Sequence, residues 1–137
     1  MDFINRPRPF TENDYLDIKT DIYRIENNIK YISDKLNDMG YYNEINYNPQ
    51  SHLQKVLFVS EINRLRNNVN ILMDAFEFLD GMEIIYIDIN QKQFINFVDI
   101  NKLENNLKLL NYYIDCTILD NYICGESIMG NNNIIFH

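Results

Sequence analysis

Apolar residues recur at alternating spacings of three and four along three stretches of this 137-residue chain. Such spacing places the apolar side chains on one stripe of an α-helix, as in helical bundles and coiled coils. The pattern therefore predicts three helices, and we call their three apolar stripes together the seam. The seam residues are Ile22, Ile25, Ile29 and Ile32 in the first helix, Ile62, Leu65, Val69 and Leu72 in the second, and Ile100, Leu103, Leu107 and Leu110 in the third.

Local signals predict where the first and third helices begin. Thr11–Asp14 reads as an N-terminal capping sequence, because the Thr hydroxyl can accept a hydrogen bond from the amide three residues later. The first helix is therefore expected to begin there, with Tyr15 as its first apolar residue. Gly40 follows this helix and can supply the positive φ of a helix end. Asp99 is the expected N-cap of the third helix.

A nine-residue motif occurs three times, at residues 21–29, 61–69 and 99–107. Each copy contains an acid, Ile, a base three residues after the acid, an apolar residue, Asn-Asn and another apolar residue. The base recurs after 40 and then 38 residues, a period typical of repeated supersecondary units. The sequence therefore predicts one helical unit used three times, with no catalytic group common to its copies.

The acid and the base of each motif are three residues apart, so they are neighbours on a helix surface. Such a pair stabilises a helix by a few tenths of a kcal/mol, roughly, and supports structure rather than a reaction. The predicted helix-surface pairs are Asp21 with Arg24, Glu61 with Arg64, and Asp99 with Lys102.

The Asn-Asn pair of each motif is unfavourable inside a helix, by roughly 0.5 kcal/mol per residue relative to Ala. Composition favours a simple interpretation, in which these residues lie on a solvated face of a protein from an AT-rich genome. The alternative is that their side-chain amides bind a loop or a partner subunit.

Two stretches rich in β-branched and aromatic residues predict short β-hairpins. One spans residues 83–98, between the second and third helices, and the other is a C-terminal β segment at residues 122–136. The predicted fold class is therefore mainly α with small β-hairpins (α+β), in which the helices form a bundle or an oligomeric coiled coil.

The first ten residues are predicted to form an extended arm, because proline alternates with arginine there. Arg6, Pro7, Arg8 and Pro9 form a possible docking arm that could reach a neighbouring protein, and the fold is expected to survive its deletion. Residues 11–137 are predicted to be a single helical-repeat domain.

The seam has two interpretations. An apolar stripe is more often the core of an intramolecular bundle than a self-association surface in a chain with several helices. If the first helix does pair with copies of itself, Ile at both core positions of the heptad favours a trimer.

Charge and composition disfavour several functions. The net charge of −8 and the scattered bases argue against nucleic-acid binding. No apolar stretch is long enough to span a membrane, and no secretion signal is evident. Cys116 and Cys124 lack the spacing of a metal or redox motif and are expected to be free thiols.

No enzyme is predicted. His52 and His137 have no recognisable nucleophile near them in sequence, and no glycine-rich phosphate loop occurs. We therefore expect no catalytic residues, no metal site and no cofactor.

The motif resembles a helix of small phage virion proteins. Tyr23-Arg-Ile-Glu-Asn-Asn-Ile29 and Ile62-Asn-Arg-Leu-Arg-Asn-Asn-Val69 are similar to the "LNRIENNI" helix of proteins from the tail, baseplate or fibre region of phages of Gram-positive bacteria. Tyr122–Glu126 is also similar to the short strand that follows such helices. The chain departs from the family pattern at Tyr23, Arg66 and Lys102.

The resemblance implies a non-enzymatic virion structural protein, made in the host cytoplasm and then built into the tail or baseplate region. Its partners are expected to be other virion proteins and copies of itself in a homo-oligomer. A head decoration or neck protein is the alternative within this class. A soluble acidic helical interaction module is the alternative outside it.

Overall fold

The computed structural model describes residues 2–11, 13–56, 59–76 and 97–127, with side chains omitted at 59, 97 and 118–127. The three helices are α1, Tyr23–Asp38, α2, Val59–Ala75, and α3, Phe97–Ser127. A π-helical turn, Ile18–Ile22, leads directly into α1, and a 3₁₀ turn, Ser51–Leu53, lies between α1 and α2.

The three helices begin at the same end of a bundle and run in the same direction. Arg24, in the first turn of α1, binds Glu104 of α3, and Arg64 of α2 binds Glu26 of α1. Each helix packs against both others. A helix of the length of α1 spans about 24 Å, and the described part of the connection, residues 39–56, must return along the bundle so that α2 can start beside α1.

The predicted seam is the core of this bundle. Its twelve residues are each exposed by 2% or less, and all of them pack within the one chain. Ile at both core positions of the first helix favours the packing of three helices, and the three repeats supply three helices in a single molecule. The core also contains Phe10, Leu36, Met73, Phe76 and Ile114.

The first helix does not begin at Thr11, so that prediction is wrong. The Asp14 amide donates to the Thr11 carbonyl at 3.0 Å, which closes a turn that does not continue as a helix. Arg8 of the arm holds the Asp14 carboxylate at 2.6 Å, and Tyr15 is 93% exposed. A single capped turn is too short to be stable without an apolar face to bury, so helical structure starts only after Asp17.

The end of α1 follows the prediction. Gly40 has a φ of 92° and follows the last turn of the helix. The amide of Tyr41 donates to the Leu36 carbonyl at 2.8 Å, a bond that satisfies a carbonyl at the helix end.

The α+β fold class is wrong. Within the described ranges the structure is helical and contains no β-strand. Residues 97–98, the predicted end of the first hairpin, lie in α3, and so do residues 122–127 of the predicted C-terminal β segment. The rest of these two segments, residues 83–96 and 128–136, lies outside the described residues.

The length of α3 explains this error. β-Propensity measures how well a side chain fits a half-buried sheet and depends on context. Once a helix is formed, each added residue contributes another backbone hydrogen bond. No proline interrupts residues 97–127, and Gly125, at a cost of about 1 kcal/mol relative to Ala, does not end the helix.

Candidate functional site

The second Asn of each motif is buried in the bundle. Asn28 is 2% exposed, and Asn68 and Asn106 are fully buried. A buried amide must be hydrogen-bonded to be tolerated. Its partners therefore decide why the motif contains Asn at this position.

Two of these side chains each bind the backbone of a different non-helical segment. Asn28 Oδ1 accepts from the Ile4 amide at 2.7 Å, and its Nδ2 donates to the Ile4 carbonyl at 2.8 Å. Asn68 binds the amide and the carbonyl of Asn46 in the same way, both at 2.8 Å. Each Asn thus pairs with both backbone groups of one residue, and we call this arrangement an Asn clamp.

The Asn clamps decide between the two interpretations of the Asn-Asn pair. Bonding to a loop is confirmed for Asn28 and Asn68, and the solvated-face interpretation is wrong for the second Asn. The first Asn varies between copies. Asn27 is buried and donates to the Asp2 carbonyl at 2.8 Å, whereas Asn67 and Asn105 are exposed.

A further clamp fixes the other end of the arm. Asn101, the third residue of the third motif, binds the amide and the carbonyl of Phe10, both at 2.8 Å. The Phe10 ring is buried in the core. The arm therefore lies along its own bundle, from Ile4 on α1 to Phe10 beside α3.

The basic residues of the arm also contact their own chain. Arg6 lies over the Phe10 ring, 3.5 Å from its centroid. Arg8 binds the Asp14 carboxylate through both terminal nitrogens, at 2.6 and 2.8 Å, and its guanidinium holds the pKa of Asp14 well below the usual range.

The predicted acid–base pairs of the first two motifs form, and each gains a partner on another helix. Arg24 binds Asp21 and Glu104, both at 2.7 Å. Arg64 binds Glu61 at 2.8 Å and also Glu26 of α1. These contacts join motif one to motif three and motif two to motif one.

The environment of these pairs affects their ionisation. Burial alone lowers the pKa of Arg24, but its hydrogen bonds to Glu104 and Asp21 outweigh burial and raise that pKa. The hydrogen bond from Arg64 lowers the pKa of Glu61 below its usual value. Both effects favour the charged forms that make the ion pairs.

The contact between motifs two and three differs from the other two. Glu26 and Glu104 occupy the sixth position of motifs one and three, and the equivalent residue of motif two is Arg66. Arg66 donates to Asp99 at 2.8 Å. Asp99, the predicted partner of Lys102, is thus bound by a base of α2. In this contact the sixth position of the motif supplies the base, whereas in motifs one and three it supplies the acid.

The connection between α1 and α2 forms hydrogen bonds with residues of the same ion pairs. Ser51 is buried and donates to Glu26 at 2.9 Å, and Arg64 donates to the Asn46 carbonyl at 2.6 Å. Sequence reasoning missed the interhelical role of Glu26 and Glu104. Their shared position in two copies of the motif was the available signal.

A groove lies between the arm and α3, with a volume of about 410 Å³. Four basic residues line it, and the acid among its lining residues is Glu104. We call it the arm groove. Its lining consists of Arg6, Pro7, Arg8, Pro9, Val98, Asn101, Lys102, Glu104, Asn105 and Lys108.

The described residues give no arrangement suited to metal binding. No group of three His, Cys, Asp or Glu side chains there could hold a metal ion. His52 packs against the Tyr23 ring with centroids 5.2 Å apart, and Cys116 is a partly buried free thiol. Among the same residues, no helix has the length and apolar character needed to cross a membrane.

No protein-family model, no curated protein and no solved structure matches the chain. The resemblance of the motif to helices of phage virion proteins therefore stays a prediction.

Proposed function

We propose that the protein is a non-enzymatic structural subunit of a phage or phage-tail-like particle, located in its tail, baseplate or fibre region. The resemblance of the motif supports this proposal. The structural observation that carries it is that the polar residues of the motif bind the chain's own helices and loops. Arg24, Arg64, Asn28 and Asn68 are all used in this way. Such use suits a subunit that must keep one shape within a particle.

Contacts with other virion proteins, or with copies of the chain in a homo-oligomer, use the outer surface in this proposal. The seam is buried in the chain's own core and offers no face to a second molecule. The outer surface carries exposed aromatic residues, which are enriched at protein interfaces. Tyr15, Tyr42 and Tyr112 are 93%, 86% and 61% exposed.

Quantitative mass spectrometry of gradient-purified particles from the producing strain tests the proposal. The measured quantity is the copy number of this chain relative to the tail-tube protein, with abundant host ribosomal proteins as the control for carry-over. A small multiple of three or six supports a baseplate, fibre or neck position. Hundreds of copies would favour a decoration or tail-wall subunit.

A soluble acidic interaction module is the second candidate, and the net charge of −8 favours it. If this chain is absent from particles and recovers a basic host protein in pull-downs, the virion proposal would be replaced by this one.

A further inference from the structure

The arm groove concentrates positive charge on an acidic protein. Arg6, Arg8, Lys102 and Lys108 line it, which is four of the 12 Lys and Arg residues of a chain with net charge −8. The acid among its lining residues, Glu104, is bound by Arg24, and one of the four bases, Arg8, is bound by Asp14. The groove is therefore a basic patch on a chain of negative net charge.

The shape of the groove is fixed by internal contacts of the arm. Asn28 and Asn101 clamp the arm at Ile4 and Phe10, on either side of the groove-lining residues. Arg6 rests on the Phe10 ring. A ligand therefore meets basic groups that are already positioned, which lowers the entropy cost of binding.

The remaining lining suits a peptide. Pro7, Pro9 and the exposed Val98 offer apolar contacts. Asn105 exposes its amide in the groove and stands at the motif position of Asn27, which donates to a backbone carbonyl. An extended peptide brings carbonyl groups for this amide and carboxylates for the basic residues.

We propose that the arm groove binds an acidic, extended segment of a partner protein. This inference goes beyond the proposed function, because it holds whether or not the chain is part of a particle. A nucleic acid fits less well. Its phosphates continue well beyond a 410 Å³ groove, and the net charge of −8 on the chain repels them.

Fluorescence anisotropy of fluorescein-labelled hexaglutamate, titrated with the full chain at low salt, tests the proposal. The groove variant is Lys108→Glu, and Lys55→Glu is its matched control. Both lysines are exposed and both changes alter the net charge equally, but Lys55 lies in the connection between α1 and α2 and does not line the groove.

We expect saturable binding that weakens as salt is added. Lys108→Glu should weaken it by about fivefold or more, and Lys55→Glu by less than about twofold. Lys108→Gln should give an intermediate loss, with circular dichroism melts unchanged in all three variants.

Absence of saturable binding, or equal losses in Lys108→Glu and Lys55→Glu, would overturn the proposal. Tighter binding of labelled oligothymidine than of hexaglutamate, lost in Lys108→Glu, would replace the acidic peptide with a phosphate ligand. Failure of any of these tests leaves the virion proposal standing, since that proposal depends on copy number in particles.

Discussion

Arg24 of α1 donates to Glu104 of α3 at 2.7 Å, so the base of the first motif binds an acid of the third, 80 residues away. The two side chains are only 9% and 13% exposed. The repeated motif therefore joins its own copies within one chain, in addition to forming helices.

Glu104→Gln should destabilise the protein by about 2 kcal/mol, because it leaves Arg24 without one of its charged partners in a largely buried site. Urea unfolding followed by circular dichroism measures the change. Asp34→Asn is the control, since the Lys30–Asp34 pair is much more exposed and should contribute less than about 0.5 kcal/mol. Equal losses of unfolding free energy in the two variants would show that the ion pair of Glu104 with Arg24 contributes no more than an exposed pair.

Asn68→Ala should cost about 1–2 kcal/mol, because it removes both hydrogen bonds of the clamp on Asn46. The neighbouring Asn67 is exposed. Asn67→Ala should stabilise the helix by about 0.5 kcal/mol, since Ala is the better helix former. Unfolding midpoints that move in the same direction for both variants would contradict the assignment of the clamp.

Phe10→Ala should cost about 3 kcal/mol, because the ring is buried in the core. Deletion of residues 2–10 removes Phe10 together with the Asn28 clamp on Ile4 and the Asn101 clamp on Phe10, so it should destabilise the fold by more than Phe10→Ala does. This replaces the expectation that the fold survives deletion of the arm. Tyr15→Ala, at an exposed aromatic residue, is the control and should change the thermal midpoint by less than a few degrees. A fold unaffected by Phe10→Ala would place the arm outside the core.

Stability should fall at acid pH partly through Glu61. Its pKa is lower in the folded protein than in the unfolded chain, mainly because of the hydrogen bond from Arg64. The stabilisation is therefore fully present above the unfolded pKa and is lost as the pH falls through the folded pKa. Urea midpoints measured from pH 7 to pH 3 should decline less steeply in Glu61→Gln than in the parent. Parallel declines would exclude a contribution from this pair.

The sequence predicts the seam completely. Burial of one face of a helix requires apolar residues at spacings of three and four, and this spacing is evident despite the biased composition. All twelve seam residues, from Ile22 to Leu110, are in the core. The clamps made by the Asn-Asn pairs could be predicted only as one of two interpretations, and the clamp made by Asn101 was not predicted. They join Asn28 to Ile4 and Asn101 to Phe10, which are 24 and 91 residues apart, and no local pattern specifies such pairs.

The incorrect predictions depended on local propensity. Thr11–Asp14 has the residues of a capping box, and the Thr11 amide does donate to the Asp14 carboxylate at 2.8 Å, but the turn does not continue as a helix. Tyr122 and Ile123 are β-prone residues, but residues 122–127 continue an established helix. In both cases a longer-range or cooperative interaction outweighs the preference of the short segment.

The parallel arrangement of three repeats within one chain can be tested by pulsed electron paramagnetic resonance. Spin labels would be placed at Asp34→Cys and Asp74→Cys, in a background with Cys116 and Cys124 replaced by Ser. Both positions are exposed and lie 13 residues after the first acid of their motifs. The sample is then diluted with unlabelled protein, which separates contacts within a chain from contacts between copies.

If the helices are parallel and in register, the distance between the two spin labels should be about 10–25 Å, set by the spacing of adjacent helix axes and the length of the two label arms. Dilution with unlabelled protein should not change this distance. Antiparallel α1 and α2 would place the labels farther apart, by up to about a helix length of 24 Å. A distance above about 30 Å, or loss of the short distance on dilution, would contradict a single-chain parallel bundle.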